Sequence, residues 1–175
     1  VTGYYRRFLS AFPTVRELAE APLEQVLKQW EGLGYYSRAR NLHAAARIIV
    51  SRYAGKLPQD LHALRSLPGI GDYTAGAIAS IAFGIPVPAV DGNVLRVLAR
   101  VLGSQRDIAR QDTKDAARAL LLQVIPQDCP GQFNQALMAL GATVCLPNGA
   151  PLCDRCPVRA LCTPPPEATT ALLPV

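Results

Sequence analysis

Apolar residues recur along this chain at helical spacing, and no apolar–polar alternation lasts the length of a strand. Residues 4–12 read as the tail of a helix that Pro13 stops. Thr14 stands as an N-cap for residues 15–21, and Glu17 three positions on completes a capping box. Pro22 opens a helix with Val26, Leu27 and Trp30 on one face, ended by Gly32 and Gly34. The helix after it places Leu42, Ala45, Ala46, Ile49 and Val50 inward. Two short apolar segments, 61–66 and 73–83, flank a Pro-Gly-x-Gly turn. Residues 85–88 must be extended, because Pro86 and Pro88 exclude a helix. An apolar helix then runs from Asp91 to Leu102, and further helices cover 113–125 and 132–144. The pattern predicts an all-α fold.

Composition narrows the class. A chain of 175 residues, half of them hydrophobic and 18% charged, can build one core or two small lobes of a packed soluble protein. No apolar run is long enough and free enough of charge to span a bilayer, and no secretory signal opens the chain. The net charge of +5 is carried mostly by Arg, whose fork suits phosphate without demanding it. A start at Val1 rather than Met suggests part of a longer protein.

Three stretches carry candidate chemistry. In the turn LPGIGD, Gly69 and Gly71 can take positive φ and allow close backbone approach. The first N–H groups of the helix that follows could then hold a phosphate, as in a helix-hairpin-helix. Taken alone, the turn is more often only a tight connection. Asp91, heading an apolar helix, is most simply an N-cap. In Tyr35-Tyr36-Ser37-Arg38-Ala39-Arg40, rings could wedge between bases while Arg holds the backbone. The plainer reading is a helix entry with tyrosines packed on the core.

Cys145, Cys153, Cys156 and Cys162 follow one another with seven, two and five intervening residues, and Cys129 stands apart as a free thiol. Disulfides do not suit a chain with no sign of secretion. Structural zinc is the better rival, although four-Cys zinc sites usually show two close pairs and here there is one. Four close thiols after a helix, with Pro157 behind the third, suit an iron–sulfur cluster, more structural than redox-catalytic. Arg155 and Arg159 in the same loop could present charge to phosphate.

The stretches LPGIGDYTAGAI, VDGN and FNQALMALGATVC, with the four-cysteine loop, resemble the helix-hairpin-helix glycosylase superfamily. Within it, GLGYYSRARNL and Asp-Gly-Asn resemble the adenine DNA glycosylase branch, and the resemblance covers residues 1 to about 163. It implies a six-helix barrel domain at 1–86, containing the helix-hairpin-helix at about 59–83, and an iron–sulfur domain at 87–163 holding a [4Fe–4S] cluster. DNA would lie across the groove between them. The implied activity is release of adenine opposite 8-oxoguanine by base flipping and hydrolysis, by a monomer acting on double-stranded DNA in the bacterial cytoplasm, at the nucleoid. By this resemblance Tyr35 wedges beside the 8-oxoguanine, and Leu67, Gly69 and Gly71, with Tyr36 and Arg38, contact DNA. Asp91 stabilises the cationic sugar, and Asn93 and Gln135 line the adenine pocket. Tyr73 stands beside the sugar, where the endonuclease III branch carries a Schiff-base lysine. A phenol cannot form that imine, so the implied enzyme is monofunctional.

The chain also departs from the family. The family's general-acid glutamate lies upstream of the point where residue 1 falls, and Glu17, Glu20 and Glu24 do not replace it. Residues 164–175, opening with three prolines, have linker composition, and the family's C-terminal domain that recognises 8-oxoguanine is absent from the sequence. The first cysteine gap is one residue longer than is common, and Asp72 puts a negative charge at the phosphate-binding turn, where helix-dipole stabilisation explains it. Two other readings stay open: a DNA-binding iron–sulfur module without catalysis, and an endonuclease III-like glycosylase.

Overall fold

The computed structural model describes residues 2–162 and 173–174. The expected linker at 164–175 therefore lies, apart from Leu173 and Pro174, outside the described residues. Every regular element among them is helical: α1 (Thr2–Ala11), α2 (Val15–Glu20), α3 (Leu23–Gln29), α4 (Ser37–Tyr53), α5 (Leu61–Arg65), α6 (Asp72–Phe83), α7 (Gly92–Leu102), α8 (Gln111–Val124) and α9 (Pro130–Thr143). Two short 3₁₀ turns, Cys153–Arg155 and Arg159–Leu161, follow. No helix among the described residues is long and apolar enough to cross a membrane.

The chain divides into two compact units, Val1–Gly71 and Asp72–Val175. In the first, the expected capping box is present: the Thr14 hydroxyl accepts from the Glu17 amide, and the Glu17 carboxylate accepts from the Thr14 amide at 2.8 Å. That box starts α2, which packs against α4, and Phe12, Leu18, Val26 and Ala46 form a buried cluster in the same unit. Phe8 meets both Phe12 and Trp30 edge to face, with ring centroids 5.0 and 5.8 Å away. A second cluster joins Ala45 and Ile49 of α4 to Leu67, with Ile70 packed on it.

The face of α4 differs from expectation at two positions. Leu42 is 40% exposed, while Ala39, His43 and Ala46 on the same helix are buried, so the inward face runs beside Leu42 rather than through it. His43 is buried instead, and this is tolerable because its Nε2 lies 3.0 Å from the Ala21 carbonyl, which satisfies one ring nitrogen.

In the second unit, α9 packs on both α6 and α7. Two glycines make the approach possible. A Cβ on Gly131 would lie 2.8 Å from the Ile81 Cα, and one on Gly141 would lie 2.6 Å from the Asn93 Cβ and 3.1 Å from its Cα and carbonyl oxygen. Pro130 takes the first helical position of α9, where a missing N–H costs nothing.

Gly141→Ala sets two effects against each other. Alanine favours the helix by about 1 kcal/mol. The contact, however, is with Asn93 backbone that cannot swing aside, and overpacking of that kind costs about 1–3 kcal/mol. The expected result is a lowered Tm by thermal denaturation, whereas Gly71→Ala, where the added Cβ meets open space, should leave Tm nearly unchanged.

Candidate DNA-binding and glycosylase site

Asp91 heads α7 as its N-cap, with extended backbone at φ −109° and ψ −178°. Its Oδ1 accepts from the Val94 amide at 2.8 Å, and its Oδ2 accepts from the Asn93 side-chain amide at 3.0 Å. Both carboxylate oxygens are therefore held in place, one by the helix end and one by a side chain. Asn93 is held in turn, since its Oδ1 accepts from Arg96 Nη2 at 2.7 Å. Only one orientation of the Asn93 amide serves both neighbours, because a carboxylate can only accept here and a guanidinium can only donate.

Arg96 is buried, and it also donates to the carbonyls of Gly141 at 2.6 Å and Cys145 at 2.9 Å. Burial pushes the Arg96 guanidinium below its ordinary range, as does nearby Arg100, while Cys145 and Asp91 act in the opposite direction. Arg100, one turn on, is buried too; it donates to the Leu146 carbonyl at 2.8 Å, the Leu173 carbonyl at 2.9 Å and the Cys145 sulfur at 3.3 Å. A continuous path of hydrogen bonds thus runs from the Asp91 carboxylate through Asn93 and Arg96 to the main chain of Cys145.

Neither arginine was anticipated as functional. Asn93, Arg96 and Arg100 recur at helical spacing as the polar stripe of an amphipathic helix, a pattern that ordinarily faces solvent and gives no sign of burial. Asn134, beside the anticipated Gln135, was missed as well. It is fully buried in α9 and bonded to Ala89, Val87 and Ser80.

Gln135 itself is exposed, its amide donating to the Gly131 carbonyl at 3.1 Å. Tyr73, in the first turn of α6, is 42% exposed, and its hydroxyl lies 3.4 Å from the Met138 sulfur. Asp72 accepts from Arg118 of α8 at 3.0 Å, so its charge is countered within its own unit as well as favoured by the start of α6.

In the first unit the turn at 67–71 follows α5. Gly69 takes φ +78°, and a Cβ there would crowd Asn41 at 2.8 Å, so both backbone conformation and space call for glycine. Gly71 differs from expectation: it does not adopt positive φ, and it faces open space. Leu67, expected among DNA contacts, is only 2% exposed and belongs to the core with Ala45 and Ile49, and its amide is already spent on the Leu64 carbonyl at 3.1 Å.

Tyr35 is not packed on the core. It is 81% exposed and holds φ +47°, a left-handed conformation uncommon for a bulky residue. Arg38 lies over its ring at 5.7 Å and over the Trp30 ring at 5.5 Å, while Trp30 Nε1 donates to the Gly34 carbonyl at 3.0 Å. Tyr36 is less exposed and precedes α4 directly. A loop with left-handed backbone at Tyr35 thus presents an aromatic ring to solvent, with Arg38 over one face.

Cys145 follows α9, Cys153 and Cys156 bracket the first 3₁₀ turn, and Cys162 ends the second. All are free and partly buried. Burial raises the Cys153 and Cys162 thiols above their ordinary range, and each is raised further by neighbouring cysteines of the same four. No three His, Cys, Asp or Glu side chains among the described residues come together to hold a metal ion. Cys129, at the entry to α9, is a separate thiol pushed up by its hydrogen bond to Asp128.

The chain is 48% identical over 163 residues to an adenine DNA glycosylase of Homo sapiens, covering 93% of this chain and 30% of that protein. It is 38% identical to an adenine DNA glycosylase of Schizosaccharomyces pombe, covering 93% of this chain and 35% of the relative. The chain thus spans about a third of these relatives' length. Among solved structures, a thermostable thymine-DNA glycosylase superposes with a TM-score of 0.83 at 28% identity, covering 93% of this chain and 75% of that one. A non-covalent endonuclease III–DNA complex gives 0.78 at 29% identity, over 92% and 73%. The family described as HhH-GPD superfamily base excision DNA repair protein matches residues 1–127. The chain belongs to the HhH-GPD superfamily of base excision DNA repair proteins.

Proposed function

We propose that this chain carries the core of a monofunctional adenine DNA glycosylase acting on adenine opposite 8-oxoguanine in duplex DNA. The observation that carries the reading is the Asp91 carboxylate, fixed through both oxygens at the start of α7. As the N-glycosidic bond breaks, positive charge develops on the sugar, and an anion already in position stabilises it without reorganising. DNA binding alone needs no such carboxylate. Asn93 orients Asp91, Arg96 orients Asn93, and Gln135 offers an exposed amide to the base. Tyr73 stands where a lyase would need an amine, which favours base release without strand cleavage over the endonuclease III-like reading.

In the first unit, exposed Tyr35 suits a wedge at the mispair, and Tyr36, Arg38 and the turn around Gly69 suit contacts to the DNA backbone. Cys145, Cys153, Cys156 and Cys162 would hold a [4Fe–4S] cluster. Four free, partly buried thiols in the short stretch that follows α9 support that reading. Two buried arginines beside Cys145 also suit thiolate charge. When bound, the cluster would supply covalent cross-linking of the loop, while Arg159, bonded to Asp154, helps to shape that loop.

Asp91→Asn tests the central role. Asparagine caps helices as well as aspartate does, and only the bond from Asn93 is lost, so stability should fall by no more than about 1–2 kcal/mol, read by thermal denaturation. Release of adenine by the protein carrying this chain should nevertheless slow by about 100-fold or more, with duplex affinity retained. Equal loss of folding and activity would make Asp91 only a cap.

Arg96→Met keeps the volume but strands the carbonyls of Gly141 and Cys145 and the Asn93 oxygen. The expected outcome is a stability loss of about 1–3 kcal/mol for each acceptor left dry, read by denaturant titration, with slowed single-turnover release from the folded fraction. Cys153→Ser should remove iron and the brown absorbance from protein purified without air. A colourless parent protein containing zinc would contradict the cluster assignment.

A further inference from the structure

Asp91 is delivered by residues 84–90, a segment outside any regular element. Pro86 and Pro88 have no N–H to hold it. Ile85 donates to the Ala79 carbonyl at 2.9 Å, and Val87 donates only back to Ile85 at 2.8 Å. What fastens the last part of the segment, next to Asp91, is one side chain from α9.

Asn134 is 0% exposed and engages both ends of its amide. Its Oδ1 accepts from the Ala89 amide at 3.0 Å, and its Nδ2 donates to the Val87 carbonyl at 2.9 Å and to the Ser80 hydroxyl at 2.8 Å. Ser80 passes its own proton to the Gly76 carbonyl at 2.8 Å, so it must accept from Asn134, and the amide has one orientation. Gly76 leaves room on the α6 side: a Cβ there would strike the Pro88 carbonyl. The segment is thus gripped by Asn134 and backed by bare α6 backbone, two residues before the carboxylate. An apolar residue in place of Asn134 would leave the Ala89 donor and the Val87 acceptor dry.

We propose that Asn134 is a positioning residue for base release: by clamping residues 87 and 89 it sets the Asp91 carboxylate at the start of α7. This inference rests on Asp91 being the carboxylate beside the sugar, as proposed above. Asn134 does not touch substrate; it acts through the segment it holds.

The test uses Asn134→Asp, which keeps the acceptor and the size but loses both donors, with Ser80→Ala as a control that leaves Val87 and Ala89 clamped. Two readouts are taken from each protein. Amide hydrogen exchange at Val94 reports the Asp91 cap directly, since Asp91 Oδ1 is its acceptor. Single-turnover adenine release, normalised to the folded fraction, reports the chemistry. In Asn134→Asp, which loses the bond to the Val87 carbonyl, exchange at Val94 should rise about tenfold, the worth of one hydrogen bond, while α8 amides stay as they were. Release should fall about 100-fold with duplex affinity unchanged. Ser80→Ala should change neither readout.

Unaltered Val94 exchange in Asn134→Asp would overturn the proposal, as would faster exchange spread evenly over the unit. A wild-type rate of release in that variant would overturn it too. If Asn134→Asp does not fold, Asn134→Ser, which leaves room for a water, is read by the same two measurements. If the parent protein releases no adenine but Val94 still deprotects in the variant, the proposed activity fails and the clamp stands.

Discussion

A cation removed from water has to find acceptors, and Arg96 finds three: an amide oxygen on its own helix and two carbonyls at the end of α9. Desolvating a guanidinium is costly, and the cost is offset only when donors and acceptors match in direction as well as number. That requirement locks α7 to α9 more specifically than leucines could, since apolar contacts tolerate sliding and forked hydrogen bonds do not. The Asp91 carboxylate inherits this precision through Asn93.

Helix α9 does more than cover the core. Within about four turns it brings Gly131 against α6, Asn134 against the segment that delivers Asp91, and Gly141 against Asn93, and Cys145 follows just past its end. Each contact uses a residue chosen for what it lacks or what it can bond: two glycines for closeness, one amide for backbone satisfaction. The proposed chemistry and the cysteine loop therefore hang from one rigid rod, which is how a site can be held to the tolerance that catalysis needs.

The helix map was legible because the signals for it are local. Thr14 and Glu17 are three residues apart, Asp91 caps Val94 three residues on, and the prolines at 86 and 88 act on their own backbone. Buried polar residues were not legible for the converse reason. Arg96 bonds a carbonyl 49 positions away, Asn134 an amide 45 away, and His43 a carbonyl 22 away, so their partners exist only once the chain is folded. Leu67 shows the same limit in reverse. A residue can belong to a DNA-binding motif by sequence and still spend its side chain on the core. Tyr35 was ambiguous between core and surface until its positive φ and its exposure were seen together.

The central claim is that a fixed carboxylate at the start of α7, with a phenol in place of an amine on α6, releases a base without cutting the strand. Duplex DNA carrying adenine opposite 8-oxoguanine, incubated with the protein that carries this chain and scored for breaks before and after alkali, tests it most directly. The account predicts free adenine, and breaks that appear only after alkali. Breaks without alkali, or duplex bound with no adenine released, would contradict it.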